Sequence, residues 1–179
     1  LEVQTTDDGF HISILGATQD LHAGQFVDRI GVALGLPFPA GPSLEKLALK
    51  GKEGIDIPSF VRGTTIGFSG AETHAMRLIN KGYEPADIAL GVYLCLSKTL
   101  EKWISTAIEL SGVSDVLLVG GVSSSAFLRE QLTTVFNKQN KHVNLYFAEP
   151  SVSKDSAVGT ALLGLKKHKR RVENVRSNH

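Results

Sequence analysis

The chain has 179 residues, a length that fits one domain, and its 42% apolar and 21% charged residues can build a packed core, which excludes global disorder. Its 19 Lys and Arg residues against 18 Asp and Glu residues give a net charge of +1, which argues against a strongly basic nucleic-acid module. The single cysteine, Cys95, excludes an internal disulfide framework and a Cys-based zinc site, and its apolar neighbours favour a packed side chain over a reactive one.

The first half of the chain predicts one hairpin followed mainly by helices. Residues 1–6 and 11–15 flank an Asp-Asp-Gly turn, which is typical of a β-hairpin. Thr18 is the predicted N-cap of a helix over residues 19–35, which Gly35 ends. The later predicted elements are a rigid loop over 37–42, a short helix over 43–48, a loop with at most one strand over 50–67, and helices over 68–82 and 84–112.

The last third alternates between strands and helices. Its predicted elements are a strand over 115–121, a helix over 123–139, a strand over 142–148 and a loop followed by a helix over 149–167. This order implies two parallel strands joined by a right-handed crossover. We therefore predict an α/β fold with one mixed sheet flanked by helices.

The two ends of the chain differ in character. Leu1 begins within a predicted strand, so we expect a piece of a longer protein. Residues 166–179 hold six Lys or Arg residues and one Glu, for a net charge of +5, and this basic tail is either a solvated terminus or a contact for a polyanion. Because the sequence has no apolar run of about 18 residues and no signal peptide, we expect no membrane contact and a cytoplasmic location.

Three places in the sequence could bind a ligand. A strand runs into Gly120 and Gly121 ahead of a Ser-rich helix start, where backbone N–H groups and hydroxyls could hold a nucleotide, although tight packing alone would also explain the glycines. Asp155 lies near a helix start, as a cap or as a metal ligand. Asp28 lies on a helix beside Arg29, as part of a surface ion pair or as a hydroxyl-binding carboxylate. No His pair has metal-ligand spacing, and no Walker loop or GxSxG elbow supports nucleophilic catalysis.

Four segments together resemble the C-terminal half of the TsaD/Gcp family, long labelled glycoprotease or O-sialoglycoprotein endopeptidase. They are residues 16–48, 68–79, 117–130 and 150–164. The resemblance implies a ribonuclease-H-like lobe, within residues 1–165, of the actin-like ATPase (ASKHA) superfamily. It also implies a parent that transfers threonylcarbamoyl from threonylcarbamoyl-AMP to tRNA adenosine, with ATP and a divalent iron or zinc ion as cofactors and TsaB- and TsaE-like proteins as partners.

The resemblance also assigns site residues. It implies that Asp155 is a metal ligand, that Asp28 binds the ligand's ribose, and that Gly41 and Ser125 contact the ligand. The family's two metal-binding histidines and phosphate loop belong to an N-terminal lobe that precedes these segments, so we expect residues 1–179 alone to be inactive and to bind nucleotide weakly. An exposed face toward that lobe could also support a homodimer.

The sequence departs from the family pattern at three positions. Ser125 stands where the family has Asn, Ala40 where it has the first glycine of a Gly-Gly-Pro loop, and Glu72 where it has Lys. Retained Asp28, Gly41 and Asp155 favour a lobe of an active transferase, whereas the three changes favour a non-catalytic paralogue that serves as a nucleotide-binding or scaffold module. A metalloendopeptidase rests only on the old family label, because no HExxH motif is present.

Overall fold

The computed structural model describes residues 1–6, 9–52, 54–139, 143–153 and 157–177, and their side chains as far as Lys169. The strands are β1 (Glu2–Thr6), β2 (Gly9–Ser13), β3 (Ala17–Thr18), β4 (Phe60–Arg62), β5 (Thr65–Gly67), β6 (Asp115–Leu118) and β7 (Asn144–Phe147). The helices are α1 (Ala23–Ala33), α2 (Gly41–Ala48), α3 (Ser69–Asn80), α4 (Pro85–Ser111), α5 (Ala126–Lys138), α6 (Pro150–Ser153) and α7 (Ala157–Ser177), with a 3₁₀ turn at Val122–Ser124.

The predicted α/β class is confirmed, although the described strands form three small sheets rather than one mixed sheet. The antiparallel hairpin β1–β2 and the parallel pair β6–β7 are both confirmed. The third sheet has the order β3–β5–β4, and the 50–67 segment supplies two strands where at most one was predicted. Strand β3 pairs with β5, and the N–H groups of Ala17 and Gln19 donate to Thr64 O and Ile66 O at 3.2 and 2.9 Å.

Helix α1 begins at Ala23, so the prediction that Thr18 caps it is wrong. Thr18 ends β3, where it pairs with Ile66, and its hydroxyl donates to Leu21 O. The real first turn is closed by Gln25, whose side-chain oxygen accepts from His22 N at 3.1 Å. At the other end the prediction is close, because Gly35 follows the helix with a φ of +82°, which suits glycine.

The carboxylate of Asp20 caps α3 from 48 residues away in sequence. It accepts a hydrogen bond from Phe68 N at 2.8 Å and further bonds from the N–H and hydroxyl of Ser69, which satisfies donors that a helix start leaves unpaired. Partial burial acts to raise the pKa of Asp20, but the hydrogen bonds from Ser69, Phe68 and Leu21 outweigh it and hold that pKa below its ordinary value.

We expect Asp20→Asn to lower the free energy of unfolding by about 0.3–1 kcal/mol at neutral pH, because the amide removes the negative charge that is favourable at a helix N-terminus. A lowered pKa in the folded protein means that this stabilisation is complete above the pKa of unfolded Asp, about 3.9, and is lost as the pH falls through the lower folded value. Urea unfolding of both proteins should therefore show a difference at pH 7 that shrinks below about pH 4. A difference that stays constant between these pH values would contradict this role for Asp20.

The core is built around α4, which runs from Pro85 to a left-handed Gly112, as the sequence predicts. Its buried face meets α2, α3 and α5, and Phe26 of α1 stacks on Phe68 with ring centroids 5.5 Å apart. Cys95 is packed in this core, 1% exposed, and burial raises the pKa of its thiol to about 11, which agrees with the sequence-based expectation of an unreactive cysteine.

Apolar side chains remain exposed on the hairpin, on the β6–β7 sheet and on α7, with Ile12, Leu117 and Leu162 each more than half exposed. Helix α7 extends to Ser177, ten residues past the predicted end at 167, so the basic tail begins as helix. Among the described residues, no helix is long and apolar enough to cross a membrane.

Candidate functional site

Asp28 anchors the loop that leads into α2. It lies on α1, half-buried, and its Oδ1 atom accepts a hydrogen bond from Ala40 N at 2.8 Å. Gly41 follows directly, and a Cβ atom placed on it would lie 3.8 Å from Val27 on the same helix. The Oδ2 atom of Asp28 has no hydrogen-bond partner among the described residues, so it is available to a ligand hydroxyl.

Tyr93 of α4 lies beneath this loop. Its side chain is 2% exposed, and its hydroxyl donates to Gly41 O at 3.0 Å. Burial, and then the nearby charges of Glu45 and Asp28, raise the pKa of Tyr93 well above its ordinary value, although a hydrogen bond with Ser125 acts in the opposite direction. The phenol therefore stays protonated at neutral pH and remains a hydrogen-bond donor.

Glu45 of α2 connects the same region to α5. Its Oε1 atom accepts from Ser125 Oγ at 2.9 Å and from Phe127 N at 2.8 Å, while Ser125 itself caps α5 by accepting from Leu128 N at 3.2 Å. Within the described part of the chain no hydrogen bond uses the Oε2 atom of Glu45. We call Asp28, Gly41, Glu45, Tyr93 and Ser125 the Tyr93 cluster.

The two glycines after β6 form a backbone turn close to α1. Gly120 has a φ of +102° and Gly121 has a φ of −62°, a left-handed to right-handed sequence typical of anion-binding backbone nests. Gly120 N is used, donating to Ser153 Oγ at 2.7 Å, but no hydrogen bond within the described residues uses the N–H of Gly121 or Val122. Val122 lies 3.8 Å from a Cβ atom built on Gly24 of α1, one turn before Asp28.

The three serine hydroxyls after the glycine pair donate to acceptors within the protein rather than to a ligand. Ser123 Oγ donates to Val119 O at 3.0 Å, Ser124 Oγ to Gly120 O at 3.2 Å, and Ser125 Oγ to Glu45. A ligand at this turn would therefore meet backbone N–H groups and serine lone pairs rather than serine protons.

Arg129 of α5 clamps the glycine turn to the end of β7. Its Nε donates to Ser123 O at 2.7 Å and its Nη2 to Ala148 O at 2.6 Å, while the guanidinium lies 5.2 Å from the Phe147 ring centroid. These contacts fix the turn relative to the β6–β7 sheet. They give Arg129 a structural role that needs no ligand.

The sequence allowed Asp28 to form an ion pair with Arg29, but in the structure Asp28 accepts a hydrogen bond from Ala40 N instead. Arg29 instead pairs with Glu72 of α3 at 3.1 Å. The Glu at position 72 therefore has a structural partner on α1.

Asp155 lies outside the described residues, so its predicted role as a metal ligand stays a prediction. Within the described part of the chain, no three His, Cys, Asp or Glu side chains are grouped so that they could hold a metal ion. These residues alone do not fit the iron or zinc ion that the resemblance implies, because such a site generally recruits several protein ligands.

Comparison with known proteins identifies the family. A family model described as tRNA N6-adenosine threonylcarbamoyltransferase, TsaD, matches residues 2–162. The chain belongs to the TsaD family.

Two curated relatives that carry the family's description are about twice as long as this chain. The chain is 32% identical to the tRNA N6-adenosine threonylcarbamoyltransferase of Thermococcus gammatolerans over 160 residues, which are 89% of this chain and 49% of that protein. It is 31% identical to the protein of the same description from Thermus thermophilus over 160 residues, 88% of this chain and 48% of that protein. The chain thus spans about half the length of these curated relatives.

A solved structure supports the fold alone. Thermococcus kodakarensis HypF aligns with 73% of this chain and 18% of its own, with a TM-score of 0.58 and 24% sequence identity. This likeness agrees with the α/β fold expected for a TsaD chain.

Sequence reasoning missed two members of the Tyr93 cluster. Tyr93 reads as one more apolar position of α4, and Glu45 as a solvated charge on a short helix. Only tertiary contacts reveal them, since Glu45 meets Ser125 across 80 residues of sequence. The cluster brings together the predicted residues Asp28, Gly41 and Ser125.

Proposed function

We propose that this chain is the nucleotide-binding lobe of a TsaD-type enzyme that transfers threonylcarbamoyl from threonylcarbamoyl-AMP to tRNA adenosine, and that the Tyr93 cluster binds the ribose of an adenine nucleotide. The observation that carries the proposal is the pair of half-buried carboxylates, Asp28 and Glu45, each of which keeps one oxygen without a partner among the described residues. Ribose hydroxyls are donors that carboxylates bind in many dinucleotide sites.

The remaining contacts fit the rest of a nucleotide. The N–H groups of Gly121 and Val122, which have no hydrogen-bond partner among the described residues, suit an anionic or carbonyl oxygen, and the glycines leave room for close approach of a ligand. Tyr93 acts as a positioning residue, because its hydroxyl holds Gly41 O and so fixes the start of α2. A metal ion, if bound, would need ligands beyond the described residues, so no step is assigned to it.

A non-catalytic nucleotide-binding or scaffold module is the second candidate. It is favoured by Ser125, whose proton is donated to Glu45 and whose lone pair caps α5, so this residue already has a complete structural role. If the module is a scaffold, the Tyr93 cluster holds α2 against α5, and substitutions in it change stability without changing the affinity for nucleotide.

The test compares nucleotide binding by conservative variants of the 179-residue chain. AMP binding, followed by ligand-detected NMR titration, should weaken about tenfold in Asp28→Asn and in Glu45→Gln, because a charge-assisted hydrogen bond contributes about 1.5–3 kcal/mol. Glu130→Gln, an exposed change on α5, is the matched control and should leave the dissociation constant unchanged.

Two outcomes separate the candidates. If Asp28→Asn and Glu45→Gln lower thermal stability yet bind AMP as tightly as Glu130→Gln, the Tyr93 cluster has only a structural role. That result would overturn the ribose assignment and support a scaffold module. If the two variants fold normally and lose affinity, the ribose assignment stands.

A further inference from the structure

Positive charge is concentrated on the second half of α7. Residues 166–179 carry a net charge of +5, whereas the other 165 residues carry a net charge of −4. Because α7 runs from Ala157 to Ser177, much of this charge lies on a continuous helix. The match to the family model ends at residue 162, so the basic stretch lies beyond the sequence that the family model covers.

The first lysines of this stretch are free to meet an external anion. Lys166, Lys167 and Lys169 are exposed, and no ion pair among the described side chains involves them. Lys166 Nζ lies 5.2 Å from the centroid of the Phe10 ring, which places this part of α7 beside the hairpin β1–β2. A solvated lysine without a carboxylate neighbour can neutralise a phosphate without first breaking an internal pair.

The order of residues along α7 favours RNA over a membrane surface. Among the α7 side chains that the structure describes, the exposed large apolar residues Val158, Leu162, Leu163 and Leu165 all precede Lys166, so apolar and basic residues follow one another over residues 157–169. A helix that lies in a membrane interface instead carries its apolar and basic faces side by side over the same length. The basic half of α7 thus resembles a contact for a phosphate backbone.

We propose that Lys166, Lys167 and Lys169 of α7 bind the phosphate backbone of the RNA on which the lobe acts. This inference rests on the proposed function for the choice of RNA as the partner. Lys166 and Lys169 are three residues apart, so they are neighbours on one face of the helix, and Lys167 lies next to Lys166 in sequence. The contact supplies affinity and orientation and reads no base sequence.

The experiment measures the binding of unfractionated tRNA to the 179-residue protein by fluorescence anisotropy at several KCl concentrations. The triple variant Lys166→Gln, Lys167→Gln, Lys169→Gln is compared with Lys50→Gln, Lys52→Gln, Lys81→Gln, which removes the same charge from exposed positions elsewhere. Loss of three phosphate contacts should weaken binding about tenfold or more at 100 mM KCl and make the slope of log affinity against log salt shallower by about 2. The control triple variant should change both quantities much less.

If both triple variants weaken tRNA binding equally, the proposal is overturned, because the loss then depends on the net charge of the protein and not on the position of the lysines. Binding to vesicles that contain phosphatidylserine, without binding to tRNA, would overturn it in favour of a membrane contact. The AMP titration distinguishes this proposal from the proposed function. The α7 variant should bind AMP normally, whereas Asp28→Asn should weaken AMP binding and leave the salt slope for tRNA unchanged.

Discussion

Replacing Leu96 with alanine is expected to lower the free energy of unfolding by about 2–5 kcal/mol, the largest effect that we predict for a single substitution. Leu96 is fully buried on α4, the helix against which α2, α3 and α5 pack. Truncation removes its buried methyl groups and leaves a cavity that neighbouring helices can fill only in part.

The same helix supplies a matched control for this change. Leu110, also on α4, is 64% exposed, so Leu110→Ala makes an identical chemical change with little loss of packing. Urea unfolding should show a stability loss for Leu110→Ala that is below about 0.5 kcal/mol, as for ordinary surface substitutions. Similar losses in the two variants would mean that α4 is not the centre of the core.

Gly31→Ala is expected to cost about 1–3 kcal/mol and to weaken nucleotide binding, because it overpacks the contact between α1 and the loop before α2. A Cβ atom built on Gly31 would lie 2.3 Å from the Cβ atom of Ala40, which is itself fully buried. Ala40 N is the donor to Asp28, so any shift that relieves the clash also moves the backbone that orients this carboxylate.

Gly70→Ala on α3 is the control for the glycine prediction. A Cβ atom at Gly70 would meet nothing within 4 Å, so the alanine should raise stability by about 0.4–1 kcal/mol through its lower unfolded-state entropy. Thermal unfolding and AMP titration of both variants provide the measurement. If Gly31→Ala matches Gly70→Ala in stability and affinity, the close approach of Ala40 to α1 is not required.

Elements that depend on local sequence could be predicted well. The long apolar pattern from Pro85 to Gly112 predicts α4 almost to the residue, and the Asp-Asp-Gly turn predicts the hairpin. The parallel pairing of β6 with β7 follows from the strand–helix–strand order, which leaves few other arrangements.

Elements that depend on distant contacts could not be predicted. The start of α1 was misplaced because the side chain of Asp20, which lies inside the predicted helix, instead caps α3. The single mixed sheet was wrong because β3 pairs with β5, a strand of three residues that is too short to leave a periodic pattern.

The candidate site divides in the same way. Asp28, Gly41 and Ser125 could be named from sequence only because the chain resembles a family, since each residue alone has an ordinary structural explanation. Glu45 and Tyr93 could not be found, because their roles arise from bonds to Ser125 and Gly41 that join α2, α4 and α5. The homodimer and the partner proteins that the resemblance implies stay predictions.

Mapping AMP on the assigned ¹H–¹⁵N spectrum of the 179-residue chain tests whether the Tyr93 cluster is the ribose-binding half of a nucleotide site. This measurement detects weak binding and reports the position of the ligand residue by residue. We expect AMP to shift the amide signals of Gly41, Gly121 and Val122 together, and Asp28→Asn to remove these shifts. Shifts confined to another surface, or unchanged shifts in Asp28→Asn, would contradict the ribose assignment.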